Sequence, residues 1–211
     1  MIYIENVLIC FAAPLLIAML CAEKRSRPVF VFLLAGMGMC LLSAYINTFF
    51  ARLYGVGVVD ATVELAPVTE EIMKLLPLLF FLLVFEPKRQ EAQSAILFVA
   101  AGFATFENAC YLIENGASQL WFLLMRGFGT GAMHIVCGAI VGYGLLYVWK
   151  RPWLKAAGTF GLLCIAITFH AIFNLLLSVG GAALTVGLLI PVLTVFSGIG
   201  ITKLLRPKLP E

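Results

Sequence analysis

The stretch "APVTEEIMKLLPLLFFLLVF", residues 66–85, has the length and apolarity of a membrane-spanning helix, apart from Glu70, Glu71 and Lys74 near its head. A spanning helix takes about 20 mostly apolar residues. On insertion scales each charge near the bilayer centre costs at least about 2.5–3.5 kcal/mol. Hydrocarbon offers an unpaired charge no solvent, so ionisable groups kept at that depth are candidates for function.

The rest of the chain agrees with a membrane setting. Of its 211 residues 63% are hydrophobic and 12% charged, too few to cover a water-facing globule with polar surface. Seven candidate spans follow one another, at 2–21, 29–50, 63–85, 94–114, 121–149, 156–177 and 183–201. The expected fold is therefore all-α, a polytopic membrane helical bundle of about seven transmembrane helices. It forms one domain over 1–211, with the motif-bearing core at 63–177.

Basic residues mark every second connection: Lys24, Arg25 and Arg27; Lys88 and Arg89; Lys150, Arg151 and Lys155; Lys203, Arg206 and Lys208. By the positive-inside rule these connections are cytoplasmic, which puts the N-terminus outside and the C-terminus in the cytoplasm. The intervening connections hold one basic residue, Arg52. The net charge of +3 is accounted for by the cytoplasmic loops and implies no nucleic-acid partner. With no positive n-region and "EKRSRP" behind it, the first span reads as a true helix rather than a cleaved signal. The six cysteines are scattered singly through the spans without a CxxC, as packing residues are.

The intramembrane polar groups are Glu70, Glu71, Lys74, Glu107, Asn108, Arg126, His134, His170 and Asn174. At about 1.5 Å of rise per residue, Glu70, Glu71 and Glu107 lie roughly 10 Å below the outer surface, and His134 and His170 roughly 12–15 Å below it. Four helices thus place ionisable groups at one height, which predicts a single site open to the outer side. Glu70 and Lys74 are i,i+4 and can pair on one face, with Glu71 turned about 100° away; either glutamate can be the one left free. His170 and Asn174 share a face, as do Phe103 and Glu107. Arg126 reads as an anchor at the outer boundary, and the glycines around His134 as packing positions that admit close neighbours.

Carboxylates, imidazoles and an amide around a wet pocket suit amide hydrolysis. One carboxylate takes a proton from water, a histidine orients that water or returns the proton, and a histidine or asparagine N–H stabilises the oxyanion. A zinc variant is open, with Glu107, His134 and His170 as ligands, since two histidines and a glutamate make a catalytic site with a free position. Two rivals from other classes are a proton-coupled transporter and a bis-histidine haem protein using His134 and His170. No inverted repeat supports the first, and the second has no use for three glutamates.

"EEIMK" (Glu70, Glu71, Lys74), "FATFEN" (Phe103, Glu107, Asn108), "MH" at His134 and "HAIFN" (His170, Asn174) resemble, in order, the four motifs of PrsW-type membrane proteases. These are similar to CAAX prenyl endopeptidases and bacteriocin-processing membrane proteases. The resemblance implies a glutamate-dependent intramembrane endopeptidase without a required cofactor. Glu70 and Glu71 are then the base and its partner, Glu107 and His134 the water-orienting pair, and His170 with Asn174 the oxyanion hole. Lys74, Phe103, Asn108 and Arg126 are supporting. It implies a membrane-anchored protein substrate, such as an anti-sigma factor, cut near the extracytoplasmic side of a bacterial cytoplasmic membrane. A scaffold that keeps the pocket without proteolysis is the remaining alternative.

Overall fold

The computed structural model describes residues 4–116 and 119–204, with side chains through 201. The start of the first expected span at residue 2, residues 117–118 of one outer connection, Arg206, Lys208 and the Lys203 side chain lie outside the described residues. Seven long helices follow the expected spans: α1 (Ile4–Cys21), α2 (Arg27–Tyr54), α3 (Ala66–Phe85), α4 (Arg89–Asn115), α5 (Leu120–Val148), α6 (Lys155–Val179) and α7 (Gly181–Leu204). No strand occurs among the described residues. Most helices outrun their apolar spans by several residues, because the backbone keeps its hydrogen bonds through the interface.

Six of the seven are long and apolar enough to cross a membrane. The seventh is α3, whose three charges break its apolar run. Those charges are tolerated because neighbouring helices enclose them: Glu71 and Lys74 are buried, and both Leu75 and Leu78 behind them are core residues. Large apolar side chains such as Ile17, Phe80, Phe160 and Phe196 face outward, the reverse of a water-soluble bundle.

Local sequence sets the helix ends. Pro28 opens α2, where a missing N–H costs nothing. Gly55, with φ of 66°, closes it in a left-handed cap, and Val56 N–H reaches back to the Ala51 carbonyl at 2.9 Å. The Lys88 N–H donates to Glu91 Oε2 at 2.9 Å at the head of α4. Between α2 and α3 the chain makes a helical turn, Val58–Asp60, and a π-helical turn, Ala61–Leu65.

Helix α3 is wedged between two packed halves. Leu78 joins a cluster with Phe32 of α2 and Ala95, Ile96 and Val99 of α4. Leu75 joins another with Met133 and Cys137 of α5, Ala166 and Phe173 of α6 and Leu188 of α7. Within the first half, Gly36 of α2 lies on the backbone at Val99 and Phe103, and Gly102 of α4 lies on the backbone at Leu33. This reciprocal contact brings the two helices closer than any side chain permits. Of the α5 glycines, Gly129, Gly138, Gly142 and Gly144 have close neighbours as expected, whereas Gly127 and Gly131 meet nothing within 4 Å. All six cysteines are free thiols; Cys40 and Cys137 are buried as packing residues are, whereas Cys10, Cys21 and Cys164 are exposed.

Gly102→Ala should therefore destabilise the protein by about 1–3 kcal/mol, since a new Cβ meets backbone that cannot turn aside. Gly38→Ala, with nothing within 4 Å, should leave stability equal or slightly higher. Thermal unfolding in detergent compares the two; equal melting temperatures would remove the close α2–α4 contact from the account.

Candidate active site

The intramembrane residues of the sequence largely converge. Glu71, buried against α5 and α6, accepts from Lys74 Nζ at 2.6 Å and from His170 Nδ1 at 2.8 Å on the same oxygen, Oε1. Lys74 thus pairs with Glu71 at i,i+3 and not with Glu70 at i,i+4. The inward face of α3 carries Glu71 and Lys74, and Glu70 is the glutamate left over. Lys74 Nζ also lies 3.0 Å from His134 Nδ1, and an ammonium has only protons to give. His134 Nδ1 is therefore an acceptor, and Nε2 carries the N–H that donates to Glu107 Oε2. The other Glu107 oxygen, Oε1, accepts from Arg126 at 3.4 Å.

Phe103, one turn before Glu107, holds the imidazole in place. Its ring centroid is 5.0 Å from that of His134, and Lys74 Nζ lies 5.2 Å from it. The His134 and His170 rings stand perpendicular with centroids 5.2 Å apart. That spacing leaves no room for a macrocycle between them, and both His134 nitrogens are engaged, so the geometry does not suit a bis-histidine haem.

Glu70 differs from its neighbour. Its Oε2 is buried without a hydrogen-bond partner and faces His170 Nε2 across 3.8 Å. In the neutral imidazole, with Nδ1 donating to Glu71, Nε2 presents a lone pair to that gap. A separation beyond 3.5 Å between two such atoms is where a bridging water or ion sits. Glu70, His134 and His170 each offer a ligand atom, all within 4.8 Å of one another. Two imidazoles and one carboxylate suit a zinc ion with an open position, and Glu71 behind His170 supplies the carboxylate that orients such a ligand. The donor set fits a metal. Its carboxylate is Glu70 and not Glu107, whose two oxygens are held by His134 and Arg126; His134 joins only by releasing one of its present contacts.

Two adjoining cavities open from this cluster. One, of about 720 Å³, runs along α2 past Cys40, Ser43, Asn47 and Arg52. The other, of about 450 Å³, runs between α5, α6 and α7 past Phe122, Phe173, Leu177 and Leu184. Glu70, Glu107, Tyr111 and Arg126 belong to the walls of both. Glu71 and Lys74 line neither.

Two expected residues stand apart. Asn174 lines the second cavity, but its Nδ2 donates to the Thr62 carbonyl at 2.9 Å. Asn108 Oδ1 is buried with no hydrogen-bond partner and lines neither cavity. Arg126 is more than an anchor: its guanidinium lies 3.6 Å over the Tyr111 ring and reaches Glu107. Sequence reasoning passed over Asn47, whose Oδ1 accepts from the Thr69 hydroxyl and whose side chain lines the larger cavity. A polar amide inside the apolar span 29–50 was the available signal.

Removing Lys74 leaves Glu71 with one partner and His134 Nδ1 with none. Breaking one half of a buried ion pair costs about 3–5 kcal/mol. Lys74→Met should lower the melting temperature sharply, and adding Glu71→Gln should recover part of the loss. An unchanged melting temperature in the single variant would show that the pair carries no stability.

A family model described as PrsW family intramembrane metalloprotease matches residues 24–199. No curated protein and no solved structure matches the chain. The matched residues take in α2 to α6, most of α7 and every residue of the site, and they are well over half of the sequence. The chain belongs to the PrsW family of intramembrane proteases.

Proposed function

We propose that this protein is an endopeptidase that hydrolyses a peptide bond of a membrane-anchored protein at the Glu70–His170 gap. The observation that carries this reading is the division of the glutamate pair. Glu71 is buried and held by Lys74 and His170, while Glu70 keeps an unpartnered oxygen beside two cavities large enough for a peptide. Glu70 Oε2 takes a proton from water, and His170 Nε2, its tautomer fixed by Glu71, orients that water. Behind the walls, the Lys74 and His134 chain braces Glu107, which lines both cavities. Polar and apolar residues are mixed on the walls of both cavities, which share Glu70, Glu107, Tyr111 and Arg126, so the scissile bond would lie where the two meet.

A metal-dependent version of the same site is favoured by its donor set and by the family description. Glu70, His134 and His170 would hold the ion, which when bound lowers the pKa of water toward neutrality.

The basic connections after α1, α3 and α5 lie at one end of the alternating helices, and Glu70 lies near the start of α3, toward the opposite end. Under the positive-inside rule this supports cleavage on the extracytoplasmic side, in keeping with an anchored regulator such as an anti-sigma factor as substrate.

The test is incubation of the protein in lipid nanodiscs with a library of transmembrane peptides. Glu70→Gln and His134→Ala should each lower cleavage by about 10²–10⁴-fold while the protein still inserts. Full activity in Glu70→Gln ends the reading; a pocket that binds peptides but cleaves none is a scaffold.

Chelation decides the metal. If a chelator abolishes cleavage and added zinc restores it, and Glu70→Gln lowers the zinc content of the purified protein, the metal-dependent version stands. Unchanged cleavage after chelation leaves carboxylate-activated water.

A further inference from the structure

We propose that the Arg126 guanidinium receives the carbonyl oxygen of the scissile bond. This rests on the proteolytic reading above and supplies the oxyanion donor which that reading leaves unassigned. When water attacks the carbonyl carbon, a C–O bond forms and the π electron pair moves onto the carbonyl oxygen. The water proton leaves for Glu70 Oε2. As the tetrahedral species collapses, the pair returns, the C–N bond breaks and the proton passes to the departing nitrogen. The oxygen needs a donor already in place while it carries the charge.

The geometry narrows the donors. Asn174 has turned its Nδ2 to the Thr62 carbonyl. Lys74 is enclosed by Glu71 and His134 and lines neither cavity. Among the described residues, the cations on the cavity walls are Arg52 and Arg126, and Arg126 alone belongs to both walls with Glu70. Its fork is half used: one terminal nitrogen reaches Glu107 Oε1 at 3.4 Å, while Nε is buried with no hydrogen-bond partner. The Tyr111 ring at 3.6 Å fixes the plane of the guanidinium, and only 13% of the Arg126 side chain is exposed, so water competes weakly for it. A preset donor in a water-poor site is the arrangement that favours a developing oxyanion over a neutral carbonyl.

The test uses the full chain in nanodiscs, the library peptide that wild type cleaves best, and the phosphonamidate analogue of that peptide, whose phosphoryl oxygens mimic the tetrahedral species. Arg126→Gln should lower kcat by about 100-fold with KM within about twofold. It should weaken the analogue by a similar factor while leaving the affinity of intact peptide, measured in a Glu70→Gln background, unchanged. An unchanged kcat overturns the proposal, as does equal weakening of analogue and peptide, which would mean that Arg126 only braces Glu107. If Arg126→Gln fails to insert, Arg126→Lys keeps a charge for Glu107 and carries the same comparison, with at least about tenfold weaker analogue binding expected. Failure of both to insert assigns Arg126 to folding and overturns the proposal. If wild type cleaves no peptide at all, the proteolytic reading falls and this inference with it; if wild type cleaves and only the Arg126 pattern is missing, the reading stands and the inference alone is lost.

Discussion

Glu71 and Lys74 cannot reach water, so each must be satisfied by the other, and the site is organised around that pair. A carboxylate buried inside a helical bundle is sustained only by direct cationic or N–H partners. Glu71 finds two, Lys74 from its own helix and His170 from α6, on a single oxygen. Lys74 in turn reaches His134 on α5. One ion pair therefore fixes the relative positions of three helices and the tautomers of both histidines. With Glu71 committed in this way, the adjacent Glu70 lines the cavities with an unpartnered oxygen, and under the proposed function the double glutamate resolves into a structural member and a chemical one.

The packing that holds this pair in register comes from the other half of the bundle. Gly36 and Gly102 let α2 and α4 touch backbone to backbone, and that contact is one residue from Phe103. Phe103 is fully buried against His134 and Lys74, and Glu107 lies one turn further on. A widening of the α2–α4 contact would thus shift the aromatic face and the carboxylate that meet His134. Packing density in the apolar half and hydrogen-bond geometry in the polar half are linked through that one side chain.

Much of this was legible in the sequence. Apolar length gave the seven helices, because a bilayer sets the length of a span, and counting residues from the outer boundary gave a common depth for Glu70, Glu71, Glu107, His134 and His170. Rotation about each helix axis was not legible to the same degree. Lys74 suits an i,i+4 partner and an i,i+3 partner alike, and only the position of α6 favours Glu71 over Glu70. The carboxylate of a metal-binding set with the two histidines was likewise expected to be Glu107, but depth alone cannot show that Arg126 folds back onto it and engages its second oxygen. Asn174 shares a face with His170 by spacing and took its oxyanion role from the family resemblance; its partner, the Thr62 carbonyl, is far away in sequence and lies where the backbone departs from α-helical bonding.

That departure lies just ahead of the glutamate pair. Within Ala61–Leu65 the backbone forms a π-helical turn, in which the Ala66 N–H bonds to the Ala61 carbonyl, and single π turns of this kind occur often at functional sites. The Thr62 carbonyl, displaced from the regular ladder, accepts from Asn174 of α6. One turn earlier on the same face of α6, His170 donates to Glu71. Helix α6 is thus bonded at two points on either side of Glu70, Thr62 in the turn before α3 and Glu71 within α3. Glu70 lies between these two points, its Oε2 buried without a hydrogen-bond partner and 3.8 Å from His170 Nε2. The bundle keeps one acid without a partner by giving partners to the residues on either side.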